Sequence, residues 1–172
     1  NFKPIDKHLL SHASNPLAVH LKDDIYRVFF SGRCKENKSS VGYVDIDIIT
    51  HEVISTCEKV AFKYGEEDSF YSHGVSIGNM YKVEDKNYIQ FMAWQIRDGG
   101  HWRGDIGRLF INNKLDSIKL SPKEAFLSCD REDEVSLSYS WVMYDECIYK
   151  MWYGSTIDWT SENTEMIHVI KY

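Results

Sequence analysis

Two acidic stretches could bring ionisable groups to a reaction. One is Asp68, within EEDSF, and the other is the run DREDE, which offers Asp130, Asp133 and Glu134. A carboxyl group can serve as general acid or base, and a carboxylate as nucleophile. The plain alternative for both stretches is a solvated acidic loop. Arg33 and Arg131 could clamp a carboxylate or phosphate through two parallel hydrogen bonds, although a structural ion pair is the competing use. His73, His101 and His168 are scattered along the chain. A metal site needs several ligands to converge, which a sequence does not display, and neither a metal nor a cofactor is expected. The sequence has no GxSxG, and GDIG at 104–107 is too short for a phosphate-cradling loop.

Composition narrows the functions further. The chain has 172 residues, enough for one domain with a sizeable core. Its formal net charge of −6 argues against phosphate-backbone binding, which needs clustered Lys and Arg, so no nucleic-acid partner is expected. No run approaches the ~18 consecutive apolar residues of a membrane span, so no membrane partner is expected either. Cys34, Cys57, Cys129 and Cys147 include no CxxC pair. They read as reduced thiols, which favours a cytoplasmic setting. The first residue is Asn1 rather than methionine, so a trimmed start is expected and location stays open.

The elements that must position these groups are strands. YRVFFSG (26–32), YIQFMAW (88–94) and YKMWYGS (149–155) align without gaps as Tyr, two variable residues, two bulky apolar residues and a small one. Tyr26, Tyr88 and Tyr149 lie 62 and 61 positions apart, a period that indicates repeated supersecondary units. Each aromatic strand has a strand candidate before it: PLAVHL, VSIGNMYKV and SYSWVMY. The short polar gaps Lys22–Asp24, Glu84–Asn87 and Asp145–Glu146 predict antiparallel hairpins. Third strands follow at 40–49, 105–111 and 165–172, and fourth strands are expected within 52–62 and 117–127 only. Four short antiparallel strands at a fixed period describe a β-propeller blade. The expected fold is therefore all-β, with blades of about 13–63, 64–128 and 129–172 forming an incomplete propeller. The stretches Gln95–Arg103 and Thr156–Thr164 read as long loops, which often carry function.

The stretches NPLAVHLKDDIYRVFFSGRCKENKSSVGYVDID, FYSHGVSIGNMYKVEDKNYIQFMAWQ and SYSWVMYDECIYKMWYGSTIDW carry a likeness. In order and spacing they resemble the five-bladed β-propeller glycoside hydrolases of families 43 and 32. That broad group holds arabinanases, β-xylosidases, invertases and levanases. The likeness covers the first three blades of such a five-bladed protein. It implies a funnel at the propeller axis, where a pair of carboxyl groups flanks the scissile glycosidic bond. The first of these carboxylates sits in that family on the innermost strand of blade one, often before a proline. Here the matching position is Asn15, followed by Pro16. An amide does not ionise, so Asn15 cannot act as base or nucleophile. The second blade opens on His73-Gly74 and the third on Ser138-Tyr139-Ser140, again without a carboxylate.

The resemblance makes Asn15, His73 and Ser140 funnel positions. It leaves Asp68, Asp130, Asp133 and Glu134 as the available substitute acids. Tryptophans offer flat faces that stack on sugar rings. Trp102 and Trp159 lie in polar contexts, and Trp94 closes the second aromatic strand. With Arg33 and Arg131, these complete the expected carbohydrate contacts. The function implied is a glycoside-hydrolase-like propeller with a degenerate catalytic set. The alternative is a non-catalytic module that binds carbohydrate or protein. An incomplete ring leaves sheet faces and edges open, which predicts a homodimer or missing blades supplied by a longer chain.

Overall fold

The computed structural model describes residues 6–96, 100–159 and 166–172. Eleven strands follow one another in it: β1 (Ser11–Lys22), β2 (Ile25–Arg33), β3 (Ser39–Asp47), β4 (Glu52–Thr56), β5 (Gly74–Val83), β6 (Lys86–Ile96), β7 (Trp102–Ile111), β8 (Ile118–Leu120), β9 (Ser136–Asp145), β10 (Ile148–Trp159) and β11 (Met166–Lys171). Among the described residues there is no helix, so the chain is all-β.

The strands form three consecutive antiparallel meanders: β1–β4, β5–β8 and β9–β11. Tyr26, Tyr88 and Tyr149 each stand near the start of the second strand of a meander, opposite His20, Tyr81 and Tyr144 respectively. The hairpin turns fall in the polar gaps, with the left-handed backbone that tight turns require at Asp23, Glu84, Glu146 and Cys147. Two features differ from the sequence reading. The first two meanders join into one eight-stranded sheet through a single parallel bridge, Ser39 to Gly74. The expected fourth strands are short, and the rest of each run touches its neighbour through one isolated bridge, Val41 to Phe62 or Ile106 to Leu127.

The core lies between the first two meanders. Successive strand residues point to opposite faces, so each bulky pair divides its work. Phe29 and Phe91 turn into one cluster with Val41, Val75, Ile77, Ile89, Leu109 and Ile111, all buried. Phe30 turns the other way, onto Leu9 and Cys57. Burying a side chain of this size stabilises the fold by about 1.5–3 kcal/mol. The small residue after the pair serves a second purpose. Ser31 Oγ accepts the Ile77 backbone N–H at 2.9 Å, which ties β2 to β5.

Polar pins of this kind recur wherever one meander meets the next. Ser39 Oγ accepts the Val75 N–H and donates to the Val75 carbonyl. Asn79, 5% exposed, donates to the Val142 carbonyl at 2.7 Å and accepts the Val142 N–H at 2.9 Å. The amide side chain thus takes the place of a missing strand neighbour. Ser136 Oγ accepts the Gly104 N–H at 2.8 Å. Buried backbone groups need such partners wherever a ladder is interrupted.

Candidate functional site

β1, β5 and β9 are the first strands of their meanders, and each carries a register break of the same form. In β1, Ser14 pairs with Ser31 and Leu17 with Phe29, so one extra residue bulges at Asn15–Pro16. In β5, Ile77 pairs with Phe91 and Met80 with Ile89, which places the bulge at Gly78–Asn79. In β9, Ser138 pairs with Gly154 and Trp141 with Trp152, which places it at Tyr139–Ser140. Asn15 (φ 54°) and Tyr139 (φ 39°) both adopt left-handed backbone there. Bulges are common beside binding sites because they re-aim side chains. Here all three line one cleft of about 400 Å³, walled by Asn15, Pro16, Ile77, Gly78, Asn79, Tyr139, Ser140 and Trp141. Among the described residues, the buried Ser140 Oγ finds no hydrogen-bond partner.

Tyr139 also borders a second cleft of about 560 Å³. Its other walls include Arg33, Asn37, Ser76, Met92, Trp94, Ile96, His101 and Trp102. The Trp94 indole is held in place because its Nε1–H donates to Ser39 Oγ at 2.9 Å. Gly74 makes that approach possible, since a Cβ there would overlap both the indole nitrogen and the Ser39 hydroxyl. The Arg33 guanidinium lies 5.7 Å from the Trp94 ring centre, and its Nη1 donates to Asn37 Oδ1 at 2.7 Å. At the far side Trp159 stacks on His101, with ring centres 4.7 Å apart, and meets Trp102 edge-on at 5.2 Å.

The sequence candidates divide into two groups. Asn15 and Ser140 meet in the smaller cleft; Arg33, Trp94 and Trp102 meet in the larger, with Trp159 behind Trp102. His73 packs against Trp94 at 5.9 Å, and its Nδ1 accepts the Ile96 N–H at 3.3 Å. Burial, and then the Lys38 charge, hold its imidazole below the ordinary histidine range. His73 therefore supports the Trp94 wall as a neutral ring.

The acids lie elsewhere. Asp68 is in an exposed turn, and Arg131 and Glu134 are exposed in the loop before β9. Asp130 Oδ1 accepts the backbone N–H of Glu132 and of Asp133, which shapes that loop. Asp133 is buried. It pairs with Lys171 at 2.8 Å and accepts hydrogen bonds from Tyr153 at 2.9 Å and from Ser155. Burial pushes its carboxyl up, but Lys171, Ser155 and Tyr153 outweigh that and hold it below the ordinary carboxylate range. The same burial, reinforced by Asp133, pushes Tyr153 up to about 12. Asp133 is thus a tie that fastens β10 and β11 to the loop before β9. The other buried acids, Asp45 and Asp105, pair with Arg27 at 2.8 Å and Arg103 at 3.1 Å. Among the described residues, no Asp or Glu lines either cleft. Nor is there a group of three or more His, Cys, Asp or Glu placed to hold a metal ion.

Sequence reasoning did not find the bulges, Asn79 or Tyr139. Pro16 and Gly78 were the local signals available, since both residue types mark strand irregularities. The expected loops Gln95–Arg103 and Thr156–Thr164 are largely strand where described. β6 reaches Ile96, β7 begins at Trp102 and β10 reaches Trp159. Residues 97–99 and 160–164 of those stretches lie outside the described residues.

A scan against known protein families finds no match to the chain. Two Mycobacterium tuberculosis proteins are each 31% identical to it over 163 residues: the uncharacterized protein MT1551 (strain CDC 1551 / Oshkosh) and the uncharacterized protein Rv1502 (strain ATCC 25618 / H37Rv). The match covers 94% of this chain and 54% of each relative, so the chain spans about half the length of the curated relatives it matches. Solved structures with a similar fold include a glycoside hydrolase, with TM-score 0.68 and 9% identity, over 95% of this chain and 56% of that one. A complex of BT0996 with RGII gives 0.66 and 9%, with the same coverage. Zg3597, a family 117 glycoside hydrolase of the marine bacterium Zobellia galactanivorans, gives 0.62 and 10%, over 85% of this chain and 49% of that one. At such identities the likeness is one of fold: the chain has a glycoside-hydrolase-like all-β fold.

Proposed function

We propose that the chain is a carbohydrate-binding part of a glycoside-hydrolase-like β-propeller. In this reading the three meanders are consecutive blades, with β1, β5 and β9 innermost. The two clefts that share Tyr139 form the sugar-binding face. The observation that carries the reading is the convergence of three strand bulges on that face, beside the fixed indole of Trp94 and the Trp102 ring. Rigid aromatic faces bind sugars at low entropic cost, and a few polar groups then set orientation. The neighbour BT0996, solved in a complex with the carbohydrate RGII, supports the same ligand class.

The catalytic set is degenerate in this reading. Hydrolysis by the usual route needs two carboxyl groups about 5–9.5 Å apart across the bond. The described lining offers Asn15, Ser140, Arg33 and His101 instead. Binding on a glycan array tests the proposal. Wild-type chain should retain at least one glycan class, and Trp102→Ala should weaken it about tenfold, the loss of one stacking contact. A chain that binds no glycan would overturn the reading.

A second use of the fold is favoured by the outer face of the third meander. Met143 and Ile170 are 45% and 75% exposed there. We propose that a second copy of the chain, or further blades of a longer one, covers this face, as expected for an exposed apolar surface. Sedimentation at micromolar concentration tests the second-copy form by its concentration-dependent dimer.

A further inference from the structure

We infer that the larger cleft selects a sugar bearing an oxyanion, a carboxylate or a sulfate ester, and that Arg33 is the group that selects it. The inference rests on the sugar-binding reading above and names the ligand class within it. The chain carries 26 acidic residues against 20 Lys and Arg, yet among the described residues the cleft is lined by Arg33 and His101 with no Asp or Glu. The contrast with the neighbouring arginines is direct. Arg27 is paired with Asp45 and Arg103 with Asp105, while Arg33 has no carboxylate partner among the described residues.

Its one side-chain hydrogen bond there runs from Nη1 to Asn37 Oδ1. That bond uses one corner and leaves the Nε–Nη2 edge without a protein acceptor among the described residues. This edge is the one that grips two oxygens of a carboxylate or sulfate at once. Trp94 backs the guanidinium and Trp102, paired with Ile96 on the neighbouring strand, lines the same cleft, so a ring stacked on an indole could present its oxyanion to Arg33.

Calorimetric titration of the 172-residue chain tests this with three probes: tetragalacturonate, its full methyl ester, and a sulfated galactan tetrasaccharide. One of the two anionic probes should bind about tenfold more tightly than the neutral ester, a difference of about 1.4 kcal/mol. The stronger of the two tells whether the oxyanion is carboxylate or sulfate. Arg33→Gln should bring that probe down to the level of the ester measured on the same variant. Arg33→Lys should keep only part of the preference, because an ammonium cannot form the two-point contact. Equal binding of neutral and anionic probes, or a preference that survives Arg33→Gln, would overturn the inference while leaving the sugar-binding reading intact. Failure of all three probes together with an empty glycan array would overturn both.

Discussion

The second and third meanders carry the same aromatic strand, yet they are held in different ways. In β6, Phe91 and Met92 are buried, the first fully. The matching residues in β10, Trp152 and Tyr153, are only half-buried. The second meander lies between two neighbours and presents apolar residues to the core. The third, among the described residues, has a neighbour on one side, and what its two faces bury is largely hydroxylic: Ser136, Ser138, Ser140, Ser155 and Thr156. Leu137 and Val142 are its buried hydrophobic residues among those described. An identical strand pattern is thus compatible with two modes of attachment, by apolar burial or by polar ties. What decides between them is how many sheets pack against the strand, which is a property of the whole chain.

The comparison predicts a steep contrast between matched substitutions. Phe91→Ala should cost about 3–5 kcal/mol in denaturant unfolding, through lost burial and a residual cavity. Trp152→Ala should cost well under half as much, because Trp152 is half-buried and stacks on Tyr172, which is 74% exposed. Equal costs would erase the distinction between the two meanders.

The next largest effect belongs to the polar ties. Asp133→Ala removes the partner of Lys171, Tyr153 and Ser155 and should destabilise the third meander by about 2 kcal/mol. The folded carboxyl is held below its ordinary value of 3.8. Its contribution is therefore complete above that value and is lost as pH falls through the lower folded value. Asp133→Ala should remove this component from the acid limb of the stability curve. An unchanged acid limb would mean that the tie contributes little.

These ties explain which parts of the molecule were legible in the sequence. The strands, the hairpin turns and the positions of Tyr26, Tyr88 and Tyr149 follow from local patterning, which the sequence displays directly. Asp133 read as one member of an acidic loop because its partners Tyr153, Ser155 and Lys171 lie far along the chain. Asn79 was invisible for the same reason, since its bonds to Val142 span two meanders. Asn15 and Ser140 were placed together through a family resemblance. Their convergence with Tyr139 depends on bulges, and a one-residue bulge leaves little trace in an alternating pattern. Trp102 and Trp159 read as loop residues from their polar neighbours, whereas both sit at strand ends.

Smaller effects should separate the cleft from the scaffold. Gly74→Ala would press a methyl group into Trp94 and Ser39. It should cost about 1–3 kcal/mol as overpacking and shift the tryptophan emission as the indole moves. An unshifted spectrum would show that the Trp94 wall is not fixed by that contact. Smallest of all, Ile170→Ser on the open face of the third meander should change stability by no more than about 0.5 kcal/mol, as for other exposed sites. The same variant should reduce any dimer seen by sedimentation. A large loss of stability would mean that this face is already covered within the chain.

The most direct test of the central claim is to follow binding and cleavage in the same samples. The chain is mixed with a panel of polysaccharides. Its retardation in affinity gels is compared with the release of reducing ends over the same interval. At least one polysaccharide should retard the chain, Trp102→Ala should sharply reduce the retardation, and no reducing ends should appear above the blank. Steady release of reducing ends, lost on replacing Asp68, Asp130, Asp133 or Glu134, would contradict the claim.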